Sequence, residues 1–151
     1  MASIINADTS DGLKLTSDTS GQIDLQSAGS TKALIDTSGN LKFDSGYGSV
    51  ATGYGCRAWV NFNGTGTVAI RESKNVSSIT DNGTGDYTVN FATAMVDANY
   101  CSTGSGGLST VNPSNASFAS FPVDTSSCRC EIFTTTNVKT DFAGVFVAIF
   151  R

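Results

Sequence analysis

Apolar and polar residues alternate in short runs along most of this chain, and no stretch sustains the three-to-four-residue period of a helix. The segment "FATAMVDANY" has room for one helical turn at most. From residue 56 onward, alternating runs rich in Val, Ile, Thr and aromatic residues predict strands at 57–62, 67–71, 76–80, 87–91, 99–103, 117–121, 128–134 and 144–150. Glycine and asparagine punctuate them, so the region predicts an antiparallel β-sandwich or jelly-roll-like domain over residues 56–151. Within it Trp59 shares one strand face with Arg57 and Asn61, either outward or at a subunit contact. The run "GVFVAIFR" reads as a strand buried on both faces, central in its sheet or at a subunit interface.

Residues 1–44 follow a different rule. "DTSDGLKL" (8–15), "DTSGQIDL" (18–25) and "DTSGNLKF" (36–43) repeat one plan, a polar turn closed by glycine and then an apolar-polar-apolar strand. Asp and Ser side chains bond nearby backbone amides, and glycine accepts positive φ, so "DTSG" is a turn with a mechanism. Each strand brings only a pair of apolar residues: Leu13 and Leu15, Ile23 and Leu25, Leu41 and Phe43, with Ala33-Leu34-Ile35 as a small addition. One copy of such a segment buries too little surface to offset its chain entropy. It either stays flexible or packs against further copies of itself, and the regular strand pattern favours packing. Three chains around one axis is the economical arrangement. Leu13, Leu15, Ile23, Leu25, Leu41 and Phe43, with Phe146 and Ile149 from the closing strand, are then the expected trimer contacts. The Gly/Ser-rich stretch 45–55, "SGYGSVATGYG", reads as a linker; its P-loop-like spacing has Tyr54 where lysine is needed.

Composition narrows the function classes. The 151 residues suit one domain, or a small domain plus an appendage, and a net charge of −4 with no Lys/Arg cluster gives nucleic acid no footprint. The start has neither the basic nor the apolar part of a signal peptide, and "AGVFVAIF" is too short to span a bilayer. Folding in a cytoplasm, without membrane insertion, is therefore expected. There Cys56, Cys101, Cys128 and Cys130 read as small buried or half-buried thiols, with Cys128 and Cys130 on one strand face. Histidine is absent and the cysteine spacing fits no zinc ribbon, so no metal or cofactor is expected. Without histidine or an activated Ser or Cys, the chain does not read as an enzyme.

"NGTG" occurs twice, at 63–66 and 82–85, each time between alternating segments. Asn-Gly at such a place predicts a type I′ hairpin corner rather than a ligand loop. The Asn-X-Ser/Thr matches follow from composition, and Asp81 and Asp86 offer hard oxygen ligands but not the spacing of an EF-hand. Candidate binding chemistry falls in the polar segment 102–127. There Phe118 and Phe121 could stack on a sugar ring, while Asn112 and Asn115 offer hydrogen bonds; the alternative places both phenylalanines in the core.

The repeat segment "GLKLTSDTSGQIDLQSAGSTKALIDTSGNLKF" resembles the N-terminal parts of tail-fibre-like virion proteins of tailed bacteriophages. "CRAWVNFNGTGTVAIRESKNVSSITDNGTGDYTVNFATAMVDANY", with its closing "GVFVAIFR", resembles a C-terminal domain recurrent in the same proteins. The resemblance implies a homotrimeric, β-rich virion protein made in the host cytoplasm. Its N-terminus would attach to other virion proteins of tail or capsid, and its distal domain would meet a host surface glycan. No functional residue carries over from it. A fibre normally has a long shaft, so a capsid decoration or head-fibre role fits the short chain as an alternative.

Overall fold

The computed structural model describes residues 19–107 and 116–151, and the chain divides between Gly53 and Tyr54 into two compact units. Among the described residues every regular element is a strand, and the strands form three four-stranded antiparallel sheets. The all-β reading therefore holds.

The first unit is a meander of β1 (Ile23–Ser27), β2 (Ser30–Ile35), β3 (Leu41–Phe43) and β4 (Ala51–Thr52). The DTSG turn works as its chemistry suggests. Asp36 Oδ1 accepts the amides of Ser38 and Asn40, both at 2.9 Å, and Gly39 takes a φ of +79°. Lys42 then pairs with Asp36 at 2.9 Å. The segment 30–35 is a full strand rather than a small addition, because Ala28-Gly29 turns the chain with φ of +50° and +74°. Positive φ at both central residues is the type I′ condition, met here and not at Asn-Gly. The expected linker is also shortened, since Ala51 and Thr52 pair with Phe43 and Lys42.

The second unit holds β5 (Cys56–Asn63), β6 (Ala69–Lys74), β7 (Val76–Gly83), β8 (Asp86–Phe91), β9 (Cys101–Gly106), β10 (Ala116–Pro122), β11 (Ser127–Thr134) and β12 (Val145–Phe150). One sheet has the order β6-β5-β12-β9 and the other β10-β11-β8-β7. Alternate residues of both sheets meet in one core: Ala58, Val60 and Phe62; Tyr87, Val89 and Phe91; Cys128, Cys130 and Ile132; Val145, Val147 and Ile149. The unit is thus a β-sandwich whose inward positions exclude water and whose outward positions are mostly polar.

Two expectations for the closing strand change. β12 is central, between β5 and β9, but only one of its faces is buried: Val145, Val147 and Ile149 point inward while Phe146 and Phe150 are each 38% exposed. Ile149, expected at a trimer contact, lies fully inside the sandwich and has no surface to offer a partner. Cys128 and Cys130 do share one face and are core residues, whereas Cys56 and Cys101 are exposed free thiols. The last two flank Phe150 from opposite sides, two strand spacings or roughly 10 Å apart, beyond the span of a disulfide.

Candidate functional site

The two NGTG corners are joined at one end of the sandwich. Asn63 and Asn82 keep ordinary backbone angles; the positive φ values fall on Gly66, Gly83 and Gly85, so neither corner is an Asn-Gly type I′ turn. The buried Tyr87 hydroxyl lies 2.9 Å from the Gly64 carbonyl oxygen and 2.6 Å from Asp141 Oδ1. It has one proton to donate, and the shorter contact to a carboxylate takes it. Burial, and then the Asp141 carboxylate, push this phenol's pKa well above its ordinary value. The amide of Gly85 donates to the same Asp141 oxygen at 2.7 Å, and the Gly64 amide donates to the Phe142 carbonyl at 2.9 Å. A Cβ on Gly64 would stand 2.6 Å from the tyrosine oxygen, so this glycine is required by close approach. The twin motif is a latch between hairpin ends.

Of the residues expected to bind a ligand, Asn112 and Asn115 lie outside the described residues. The two phenylalanines do not come together. They stand three positions apart on β10, and a strand sends such residues to opposite faces. Phe118 packs inward over Gly104, where a Cβ would meet its ring at 2.5 Å. Phe121 points outward, 42% exposed, beside Arg129 on β11.

The outer face around Phe121 is polar and internally satisfied. Asp86 is nearly buried and receives Arg129 through Nε at 2.7 Å and Lys139 Nζ at 2.6 Å; Lys139 also reaches Glu131 at 2.8 Å. The Arg129 hydrogen bond, against the cost of burial, and then the Lys139 bond hold the Asp86 carboxyl well below the usual carboxylate range. Next to this network Asn90 donates to Ser78 Oγ and Thr80 Oγ1, and Asn82 donates to Thr88 Oγ1. These groups are spent on one another. Asp81 and Asp86 share no vacant cation geometry, since Asp81 caps the Gly83 amide and Asp86 is held by two cations.

The outer face of the other sheet differs. Strand register sets Trp59 opposite Ala148, Ala148 opposite Thr103, Asn61 opposite Phe146, and Phe146 opposite Ser105. The small Ala148 leaves a trough of about 350 Å³ between the Trp59 and Phe146 side chains, with Asn61 and Thr103 at its rim. Trp59 is 36% exposed, which settles its outward orientation. A bulge beside Asn61 brings in Arg71, whose Nη1 donates to Asn61 Oδ1 at 3.2 Å while Nη2 donates to the Ala143 carbonyl. The hydroxyls of Thr103 and Ser105 make no hydrogen bond within the described residues. This trough was not legible in the sequence, because it depends on β12 lying beside β5.

A third surface belongs to the first unit. Two cross-strand rows, Ile23-Ile35-Leu41 and Leu25-Ala33-Phe43-Ala51, cover one face of its sheet. All of these residues are apolar, and Leu25, Ile35, Leu41 and Phe43 are 44–57% exposed. The opposite face carries Asp24, Leu34, Lys42 and Thr52. Leu13 and Leu15, expected with this set, lie outside the described residues. Among the described residues no cluster of His, Cys, Asp and Glu is placed to hold a metal ion. No family model, curated protein or solved structure matches the chain.

Proposed function

We propose that this chain is a non-enzymatic structural protein of a tailed-phage virion, a short tail-fibre or adhesin-like homotrimer. Its first unit attaches to the particle, and its sandwich contacts the host surface. The observation that carries the self-association is the uncovered apolar face of the N-terminal sheet. Seven apolar residues in two rows, four of them about half exposed, favour burial against something equally apolar. The same face on a second and third copy is the simplest cover, and burying it would stabilise by about 25 cal/mol for each Å² removed from water. The virion context and the number three come from the resemblance of the repeats and of the sandwich segments to phage fibre proteins. Linking three weak sites on one particle raises avidity without requiring any tight site.

The test has two parts. Native mass measurement of the purified chain should give a trimer, and changing Leu25, Ile35, Leu41 and Phe43 together to serine should yield monomers with an intact sandwich. A wild-type monomer sinks the self-association. Gold-labelled antibody on virions should decorate the tail; label on capsomers would instead make the chain a capsid decoration.

A further inference from the structure

We infer that the trough between Trp59 and Phe146 binds a single neutral pyranose ring. As the host-contact site of the proposed virion protein it rests on that reading; as chemistry it rests on the trough alone. A pyranose has one face of C–H groups and an edge of hydroxyls. Its C–H face, slightly positive, is attracted to the negative face of an aromatic ring, while its hydroxyls need donors and acceptors in fixed places. Both requirements meet here. Trp59 and Phe146 are diagonal neighbours on paired strands, with Ala148 as a small floor between them. Their rings stand on the outer face of a four-stranded sheet, which holds their spacing.

The polar groups at the rim decide the class of ligand. Asn61 accepts from Arg71 through its Oδ1, and the Thr103 hydroxyl at the rim makes no hydrogen bond among the described residues. These are neutral groups, suited to hydroxyls. No charged side chain lines the trough itself, and Arg71 at its edge is engaged by Asn61 and the Ala143 carbonyl. Lys74 and Glu72, cross-strand from Trp59 and Asn61, stand beside it with opposite signs, so the trough carries no dedicated ion-pair partner for a sialic or uronic acid. The volume of about 350 Å³ sits near the lower end of ligand sites, which span roughly 300–1,000 Å³. The facing sheet makes the contrast sharp. There Asn82, Thr88 and Asn90 are already bonded to neighbours, and Arg129, Lys139, Asp86 and Glu131 neutralise one another.

Trp59 is the only tryptophan, so its indole N–H resonance reports on this trough alone. The full-length protein, labelled with nitrogen-15, would be titrated with the methyl glycosides of glucose, galactose, mannose, rhamnose and N-acetylglucosamine, and with sialic acid. The expected result is a saturable shift of the Trp59 indole and of the Thr103 and Ser105 amides with at least one neutral glycoside, with a dissociation constant on the order of 1 mM. Phe146→Ala and Asn61→Ala should each weaken it about tenfold, which is near 1.4 kcal/mol, while leaving the other resonances in place. Silence across the neutral panel, or response to sialic acid alone, overturns the inference. So does a Trp59 shift that follows protein concentration and not sugar, which would make the trough a contact between copies. Mass measured on the same sample keeps the two readings apart. A trimer without sugar response removes only the trough, and a monomer that binds sugar removes only the trimer.

Discussion

The N-terminal sheet and the sandwich are built from the same parts, short alternating strands closed by glycine corners, yet only the sandwich makes a core. Two stacked sheets enclose Phe62, Tyr87, Ile132, Val145 and Ile149 completely, while the lone sheet leaves every described side chain at least partly in water. Alternation alone thus makes a surface, and a second layer turns it into an interior. In the sandwich that layer is another part of the same unit. In the N-terminal sheet no second layer stands among the described residues.

Substitutions should expose this difference most strongly in the core. Phe62→Ala should destabilise the sandwich by about 3–5 kcal/mol, measured by urea unfolding followed through Trp59 fluorescence. Leu41→Ala should leave that transition unchanged and weaken the proposed self-association instead. Equal effects on one transition would mean that the two units unfold as one. Glycine corners sharpen the same contrast at smaller cost. Gly85 combines a φ of +65° with a Cβ position 2.6 Å from the Thr140 amide, so Gly85→Ala should cost about 2–3 kcal/mol. Gly39 has a φ of +79° and open space around it, so Gly39→Ala should cost only about 1 kcal/mol.

The pH response of the sandwich should divide by sign. Asp86 has its carboxyl depressed by Arg129, so its contribution is complete above the unfolded value of 3.8 and is lost as the pH falls below it. Asp86→Asn should flatten acid unfolding of the sandwich and cost on the order of 2 kcal/mol near neutrality. At the other extreme, burial pushes the Cys128 thiol from 9.0 up to about 11 and raises Cys130 and Tyr87 further. Their contribution is complete below pH 9.0 and is lost as the pH rises through these folded values, so the sandwich should unfold in alkali. Cys128→Ala should reduce that alkaline slope; an unchanged slope would mean that the thiol does not ionise on unfolding. The smallest effect belongs to the N-terminal sheet. Ala28 sits at a φ of +50° before Gly29, and Ala28→Asn should stabilise that hairpin by about 0.5–1 kcal/mol, read from amide exchange in β1 and β2.

The sandwich strands with strong alternation were legible; Tyr87, Val89 and Phe91 announce theirs without help from neighbours. β6 and β9, AIRESK and CSTGSG, lack that pattern and begin two residues later than expected. The Asp36 turn was legible for the same local reason. What the sequence hid is set by partners. The outward face of β12 reads as buried because Phe146 and Phe150 are as apolar as Val147, and nothing local says which sheet face water reaches. Register between β5 and β12, separated by more than eighty residues, makes the trough and is written in neither strand alone. The pairing of Phe118 with Phe121 as ligand contacts overlooked strand parity, which sends residues three apart to opposite faces.

The place of β12 has a kinetic consequence. It is the latest strand in sequence, yet it inserts between β5 and β9, and it is the sole hydrogen-bonded neighbour of β9 within that sheet. The hairpins β5/β6, β7/β8 and β10/β11 close short loops and can form while the chain is still being synthesised. The sheet bearing Trp59 cannot close until β12 arrives, and the loop it must close is long. A nascent or truncated chain therefore keeps β5 and β9 as open edges, prone to pair with the wrong strand. Arrival of β12 fills the gap between β5 and β9 and builds the trough in a single event, so a chain able to present the trough is one in which this sheet has closed.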